Sequence, residues 1–458
     1  MEVYTSLLPH QTEAVEKLKR LRVGALFMEM GTGKTLTALE LIRLRLEAGK
    51  IRQVLWLCPF SVKANLLADI RKHSDLGFPI LTICGIETLS GSEKKAEELL
   101  EYVMGGATML IVDESALIKN HKAIRSQRIS RIAESCPYRL ILNGTPISRN
   151  EADLFNQFYI LDWRILGYRS YYSFAANHLE FDDKYPDRIR RVLNVDYLTD
   201  KIAPYTYECR KEDCLSLPDK FTTALFFGLT VPQQEHYAAV REAFLSEELF
   251  SLYESQTPVW LYKTFTALQE VASGRRILTG PLKEIRHEPF FKDPLDNPRI
   301  HALDDLLLMR IDGDQAVIWH KYRHECEDIE TLLAERNLKG VRLTGEESLK
   351  VRERNLEMFA KGDTQFLIAN KNCGGYGLNL QHCHQAVYYS NDWDWGTRAQ
   401  SEDRLHRFGQ IHTVTLTDIV AENTIDERIL KCLLRKESLS NDFKSNLKGK
   451  NLFMVRKQ

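Results

Sequence analysis

The stretch Glu29-Met30-Gly31-Thr32-Gly33-Lys34-Thr35 constrains this chain more than any other. The apolar run 23–28 before it has the length of a central strand, and Leu36, Leu39, Ile42 and Leu46 recur behind it at helical spacing. The glycines therefore sit on a strand-to-helix turn. At such a turn, backbone N–H groups and the positive helix end hold phosphate oxygens, the lysine reaches the outer phosphates, and the Thr35 hydroxyl can ligate Mg2+. Met28 stands where the longer form of this loop has its first glycine, so the loop is the shortened form. A glycine turn that binds nothing is the alternative, and the strand-loop-helix setting argues against it.

At 458 residues the chain exceeds one core, and ordinary domain sizes give about two to four units. Its 62 Lys and Arg nearly cancel its 63 Asp and Glu, for a net charge of −1. A polyanion must then be met by local patches, and composition by itself does not point to nucleic acid. The nine cysteines are scattered singly and read as reduced intracellular thiols, not as a disulfide framework. His382-Cys383-His384 has no second ligand pair at zinc spacing and reads as a strand end. The opening MEVYTSLLPHQ lacks a basic-then-apolar order, and no run approaches the ~20 apolar residues of a membrane span. A soluble protein without a membrane partner is the expectation.

Leu8-Pro9-His10-Gln11 opens a helix, and the Gln11 amide offers a paired donor and acceptor to an adenine edge; a polar helix start accounts for it equally. Residues 54–58 form a buried strand ending at Pro59-Phe60-Ser61, and 109–112 form another that ends in Asp113-Glu114. Adjacent ionised carboxylates at a buried strand end need a cation or donors. A Mg2+ shared with Thr35 supplies that for Asp113 and leaves Glu114 to orient or deprotonate an attacking water. The other reading is a helix N-cap, Asp113 or Ser115 before the run ALIKN. Lys119, Lys122, Arg125, Arg128 and Arg131 recur every third residue, which winds around a helix by about 60° per step, so most of them read as solvated surface. The strand 139–142 ends in Asn143-Gly144-Thr145-Pro146, a corner suited to sensing a γ-phosphate or an ordinary turn. Strand, loop and helix alternate throughout, which predicts a parallel sheet with crossovers.

From 151 to about 274 the chain reads as mostly helical and rich in Tyr and Phe, broken near 214–218 by an extended piece running through Leu229. Pro281, Pro289, Pro294 and Pro298 among charged residues make the best linker candidate. The expected division is an N-terminal lobe 1–230 with a helical insertion from about 151, a helical and linking segment 231–298, a C-terminal lobe 299–435 and a basic tail 436–458. In the second lobe, strands at 316–319, 341–343, 365–369 and 385–390 alternate with helices at 324–334 and 350–359. That lobe has no glycine-lysine-threonine loop of its own, so nucleotide is expected between the lobes, with a residue supplied in trans. Gln400, Arg404 and Arg407 fall at i, i+4 and i+7, which places them on one face of a single helix. Two arginines converging there need an anion between them, as an arginine finger does; surface pairing with Glu402 and Asp403 is the other reading.

The motifs LPHQ, EMGTGKT, CPFS, DESALIKN, NGTP, RLTG, CGGYGLNL and QSEDRLHRFGQ stand in that order between Leu8 and about Ile429. Together they resemble the Swi/Snf family of helicase superfamily two, and the Asp-Arg-x-His-Arg-x-Gly-Gln pattern is the most specific of them. The resemblance implies an α/β fold of two RecA-like parallel-sheet lobes with a helical insertion between them, and ATP-driven movement along double-stranded DNA. It implies that Gln11 meets adenine, that Gly31, Thr32, Gly33, Lys34 and Thr35 hold the phosphates of ATP and its Mg2+, and that Gly375 also lies against the nucleotide. Asp113 and Glu114 would meet the metal and the water, and Arg404 and Arg407 the γ-phosphate. Trp393 matches an aromatic that lies against the DNA minor groove, and Ser61 and Thr344 go with it as DNA contacts. Three departures touch coupling more than ATP hydrolysis: Ser115-Ala116 replaces a small residue and histidine, Leu66 stands where tryptophan is common, and Asp394-Trp395 replaces Asn-Pro. The DESA and QSEDR wording leans towards the branch that contains annealing helicases. The partners implied are double-stranded or branched DNA and proteins bound to it, met by a nearly bare motor acting as a monomer in the cytoplasm or nucleoid of a prokaryotic or viral source, or in a nucleus. A strand-separating helicase, and a nucleotide-gated DNA-binding or recruitment protein with little turnover, remain open beside it.

Overall fold

A strand with no polar residue has to be covered on both faces, which favours the interior of a parallel sheet. Val23–Met28 (β1) is such a strand, with all six residues buried. The structure is a computed structural model that describes residues 1–144, 151–181, 189–245, 257–279, 285–311, 313–370 and 378–435. It contains two compact units, Met1–Ser216 and a second that begins at Leu217.

In the first unit β1 is joined by β2 (Gln53–Cys58), β3 (Leu81–Gly85), β4 (Thr108–Val112) and β5 (Tyr138–Asn143). A small antiparallel pair, β6 (Leu179–Phe181) and β7 (Ile189–Val192), precedes β8 (Thr206–Cys209), which closes the main sheet beside β1. The order is β3-β2-β4-β5-β1-β8, and every neighbour is parallel. Successive strand residues point to opposite faces. Leu26, Met28, Val54, Trp56 and Ile111 meet the helices Pro9–Leu18, Lys34–Glu47 and Lys63–His73. Ala25, Phe27, Leu55, Leu57 and Leu110 meet Glu93–Met104, Ile124–Glu134 and Leu154–Leu166 on the other side. Each large apolar side chain buried this way contributes roughly 1.5–3 kcal/mol. The two-sided core therefore outweighs any single loop contact and fixes the edge from which the strand ends project.

The second unit repeats the plan. β9 (Lys220–Phe227) is followed by a hairpin of β10 (Arg275–Thr279) and β11 (Ile285–Pro289), then by β12 (Ala316–His320), β13 (Gly340–Leu343), β14 (Phe366–Asn370), β15 (Gln385–Tyr388) and β16 (Val414–Ala421). The sheet order is β13-β14-β12-β15-β16-β9, again parallel throughout. The two parallel-sheet α/β lobes expected from the sequence are present. Among the described residues, no helix is long and apolar enough to cross a membrane.

Two expectations are corrected. The boundary near 230, with 231–298 as the joint, gives way to a division at Ser216 and Leu217. The reason is β9, whose eight residues pair in unbroken register with β16, from Lys220 opposite Val414 to Phe227 opposite Ala421. The prolines of the supposed linker punctuate regular elements instead: Pro289 ends β11, Pro294 opens a 3-10 turn, and Pro298 is the first residue of the helix Pro298–Arg310, where a missing N–H costs nothing. Pro281 and the basic tail 436–458 lie outside the described residues.

Candidate nucleotide-binding site

All strands of the first sheet run parallel, so the loops after β1, β4 and β5 leave from one edge, where open α/β sheets bind ligands. The loop after β1 turns through Gly31 (φ 82°) and Gly33 (φ 89°), a left-handed conformation that side chains resist. A Cβ at Gly33 would also overlap the Gln11 amide nitrogen. Gly33 then caps the helix Lys34–Glu47. From behind, the helix Pro9–Leu18 grips the loop: Gln11 Nε2 donates to Thr32 O at 3.0 Å, Gln11 Oε1 accepts from Leu8 N–H at 2.9 Å, and His10 Nε2 meets the same Thr32 carbonyl at 2.8 Å. Because a carbonyl only accepts, His10 carries its proton on Nε2. Thr32 Oγ1 donates to Glu29 O at 2.7 Å. Lys34 Nζ donates to Met28 O at 2.7 Å, holding the end of β1.

The β4 edge brings the carboxylates. Asp113 Oδ1 accepts from Glu114 N–H at 2.9 Å. Burial, followed by the neighbouring Glu114 charge, pushes the Asp113 carboxyl up to about 7, against the pull of Lys34. A carboxylate in that position gains from a hard cation, and the donors available, the Asp113 carboxylate and the Thr35 hydroxyl, are the oxygen ligands that Mg2+ takes. Glu114 sits at φ 49°, an uncommon conformation for a non-glycine residue, and no side-chain cap bond forms at the 3-10 turn Ser115–Ile118 that follows. The N-cap reading of this pair is therefore not realised. From β5, Gly144 comes close enough that a Cβ there would lie 3.8 Å from Lys34 Nζ. The corner Asn143-Gly144 thus stands beside the phosphate loop; Thr145 and Pro146 fall outside the described residues.

Sequence reasoning missed what supports this edge. Ser115 Oγ donates to Gln157 Oε1 at 2.6 Å and accepts from Asn143 Nδ2 at 3.4 Å, and all three side chains are buried. Ser115, a departure from the family wording, joins β4 and β5 to the helix Leu154–Leu166. The evenly spaced basic residues are structural where their contacts are defined: Lys119 pairs with Asp153 at 3.2 Å, and Arg128 donates to Leu89 O at 2.9 Å.

In the second unit, Arg404 and Arg407 do not share a helix face with Gln400. The helix Trp395–Glu402 stops at Glu402, and both arginines, half-buried, lie in the turns beyond it. The chain is drawn off the helical path by contacts on either side. Glu402 accepts from Arg398 Nε at 2.8 Å and from Lys220 Nζ at 2.7 Å, while His406 Nε2 donates to Pro218 O at 2.8 Å. Glu402 is thereby committed to partners other than Arg404. Arg398, which the sequence did not single out, is the buried arginine of this helix: it pairs with Asp418, donates to Asn391 Oδ1 at 2.7 Å, and lies 3.3 Å above the Tyr388 ring.

The three candidate DNA contacts differ in their setting. Ser61 is exposed on the turn Phe60–Val62. Thr344 is buried, its Oγ1 donating to Glu347 Oε2 at 2.7 Å. Trp393 is half-buried, not an exposed plate: it packs edge-on to Tyr262 at 5.1 Å and near Phe265 at 6.0 Å, with Lys321 Nζ 3.1 Å over its ring. Although Asp392 and Asp394 flank it, the ring turns into this aromatic cluster. Gly375 lies outside the described residues.

Family models match three successive stretches: "type III restriction enzyme, res subunit" at residues 4–75, "SNF2-related domain" at 76–272 and "helicase conserved C-terminal domain" at 298–409. The chain thus carries an SNF2-related domain followed by a helicase C-terminal domain. It is 24% identical over 460 residues to the uncharacterized ATP-dependent helicase YqhH of Bacillus subtilis, covering 94% of this chain and 78% of that one. It is also 24% identical over 471 residues to the transcription regulatory protein SNF2 of Saccharomyces cerevisiae, covering 90% of this chain but 26% of that protein. The chain thus spans about a quarter of that SNF2 protein's length. The solved Sulfolobus solfataricus SWI2/SNF2 ATPase core in complex with dsDNA is 20% identical over 98% of this chain and 94% of that one, with a TM-score of 0.43. With these domains, and with ATP-dependent helicases among the proteins it resembles, it is an ATP-hydrolysing enzyme of the helicase class.

Proposed function

We propose that the chain is an ATP-dependent translocase on double-stranded DNA that remodels protein–DNA or branched DNA by hydrolysing ATP between its lobes. The observation that carries this reading is the meeting, at one sheet edge, of the Gly31–Gly33 turn, Lys34, the Asp113-Glu114 pair and the Asn143-Gly144 corner. Lys34 already holds backbone carbonyls, so arriving phosphate oxygens exchange one set of acceptors for a more highly charged one. The Gln11 amide, held by Leu8 N–H and Thr32 O, keeps a second N–H and a second lone pair to offer an adenine edge. Thr35 and Asp113 would hold Mg2+, which would supply positive charge to the phosphate oxygens. Glu114 orients or deprotonates the attacking water, and Arg404 and Arg407 reach the γ-phosphate when the lobes close. Double-stranded DNA is the partner that fits the Asp-Arg-x-His-Arg-x-Gly-Gln pattern, here Asp403 to Gln410.

The test is ATP hydrolysis with no DNA, single-stranded, duplex and forked DNA, with displacement of a triplex-forming strand followed in the same tubes. Duplex stimulation with third-strand displacement is expected. Stimulation by single strands alone, or unwinding of a blunt duplex without displacing the third strand, would favour a strand-separating helicase and refute this reading. DNA binding with negligible turnover would mark a nucleotide-gated binding protein.

A further inference from the structure

Behind the phosphate loop, His10, Cys209 and Cys214 bring one ligand atom each within 4.8 Å of one another. They come from three elements: the helix Pro9–Leu18, the end of β8 and the short helix Lys211–Cys214. His10 and Cys209 are buried and Cys214 is half-buried. Both thiols converge on the Arg210 carbonyl, Cys214 Sγ at 2.9 Å and Cys209 Sγ at 3.5 Å. His10 gives its Nε2 proton to Thr32 O, which fixes the ring and leaves Nδ1 as the nitrogen with a lone pair. Glu29 and Asp213 place carboxylate charge near both sulfurs, and Glu29 Oε2 is itself held by Lys211 N–H at 2.8 Å.

We propose that His10, Cys209 and Cys214 form a site for a thiophilic divalent cation of the zinc kind, which ties β8 and the helix Pro9–Leu18 to the phosphate loop. Two sulfurs and an imidazole are a soft donor set that zinc takes in preference to Mg2+, and a solvent molecule on the half-buried Cys214 side completes four ligands. The exchange balances as one divalent ion taken up against two thiol protons released. The consequence reaches the loop by two bonds: Glu29 N–H donates to Cys209 O at 3.0 Å, and Thr32 O is held by His10. An ion that fixes Cys209 and His10 therefore fixes the start and the middle of the stretch that cradles phosphate.

The test uses the untagged full chain, reduced, stripped with chelator and titrated first with Co2+ and then with Zn2+. One Co2+ is expected per chain, with a thiolate-to-metal charge-transfer band and the visible bands of a tetrahedral site, bleached by Zn2+. The bands should be lost in Cys209→Ser and in Cys214→Ser and kept in Cys84→Ser. Zn2+ should raise the melting midpoint of the wild type and not that of Cys214→Ser, whose half-buried position makes it the variant least prone to misfold. Absence of the charge-transfer band in the reduced wild type overturns the proposal, as does a band that survives both substitutions. A Cys209–Cys214 disulfide in the untreated chain, whose reduction yields protein that takes up no Co2+, overturns it in favour of a redox pair.

Discussion

Lys321 and Trp393 can be titrated against each other. Lys321 Nζ lies 3.1 Å over the indole and donates to Gln269 Oε1 at 2.9 Å. Burial pulls Lys321 down from 10.5 to about 8, against the opposing pull of Asp392 and Glu325. That drop corresponds to about 3 kcal/mol disfavouring the ammonium inside the fold. The unfolded chain keeps this proton up to its ordinary value, whereas the fold releases it near 8. The cost is therefore present in full below about pH 8 and fades between there and about pH 10.5, so stability rises with pH across that window. A cation over an aromatic face perturbs the ring it covers. Tryptophan fluorescence of the wild type minus that of Trp393→Phe, followed from pH 6 to pH 10, should show one transition near pH 8. The transition should vanish in Lys321→Met, and the stability of the wild type relative to that variant should grow by up to about 3 kcal/mol over the same range. A midpoint above pH 10, or an unchanged transition in Lys321→Met, would refute the assignment.

Lys34→Ala and Glu114→Gln should each remove most Mg2+-dependent hydrolysis, a loss of about 3 kcal/mol or more in transition-state stabilisation, and unchanged turnover in both would remove the motor reading. Arg407→Ala should keep ATP affinity and lose hydrolysis, since a finger acts on charge that develops at the γ-phosphate; equal losses in equilibrium binding and single-turnover rate would place Arg407 in ground-state binding. Trp393→Ala should weaken duplex stimulation while basal hydrolysis survives, measured as ATPase rate against duplex concentration at two salt levels, and equal stimulation of the two proteins would exclude the ring from the DNA path. Asp418→Ala removes one of the two carboxylates that pair with the buried Arg398 guanidinium, leaving Glu402, and should cost about 1.5–3 kcal/mol in urea unfolding, with an unchanged midpoint contradicting the ion-pair account.

Where a strand has an unbroken apolar run at its centre, sequence and fold agree almost residue for residue. β1 occupies the predicted 23–28, and the observed β2, β4, β5 and β12 each lie within one residue of the predicted bounds at either end. Such strands are buried on both faces, so composition alone marks them. β9 lacks that mark. Its first four residues, Lys220 to Thr223, are exposed, and it earns its place in the second sheet through pairing with β16, nearly two hundred residues away. β8 is short and polar at Tyr207-Glu208, and it too is a strand only because β1 lies beside it. Edge strands are specified by partners, and one sequence read locally contains no partner.

The site divides along the same line. The glycines at 31 and 33 announce themselves, because left-handed backbone restricts residue type wherever it occurs. Gln11 and the arginines were assigned by the atoms they offer, and an offer does not say who takes it. Each end of the Gln11 amide makes one bond within the fold, to Leu8 and to Thr32, and the second of these is set by the packing of the helix Pro9–Leu18 against the loop. Helical spacing of Gln400, Arg404 and Arg407 holds only while the helix continues, and the helix ends where Glu402 is held by Arg398 and Lys220. Arg398 has the same side chain as Arg404 six residues later, yet it is buried against Asp418 and Tyr388. Charge spacing could rank these arginines in no order; the carboxylate on β16 does so, because an arginine that has lost its water needs a fixed anion within reach, and Asp418 supplies it to one of them.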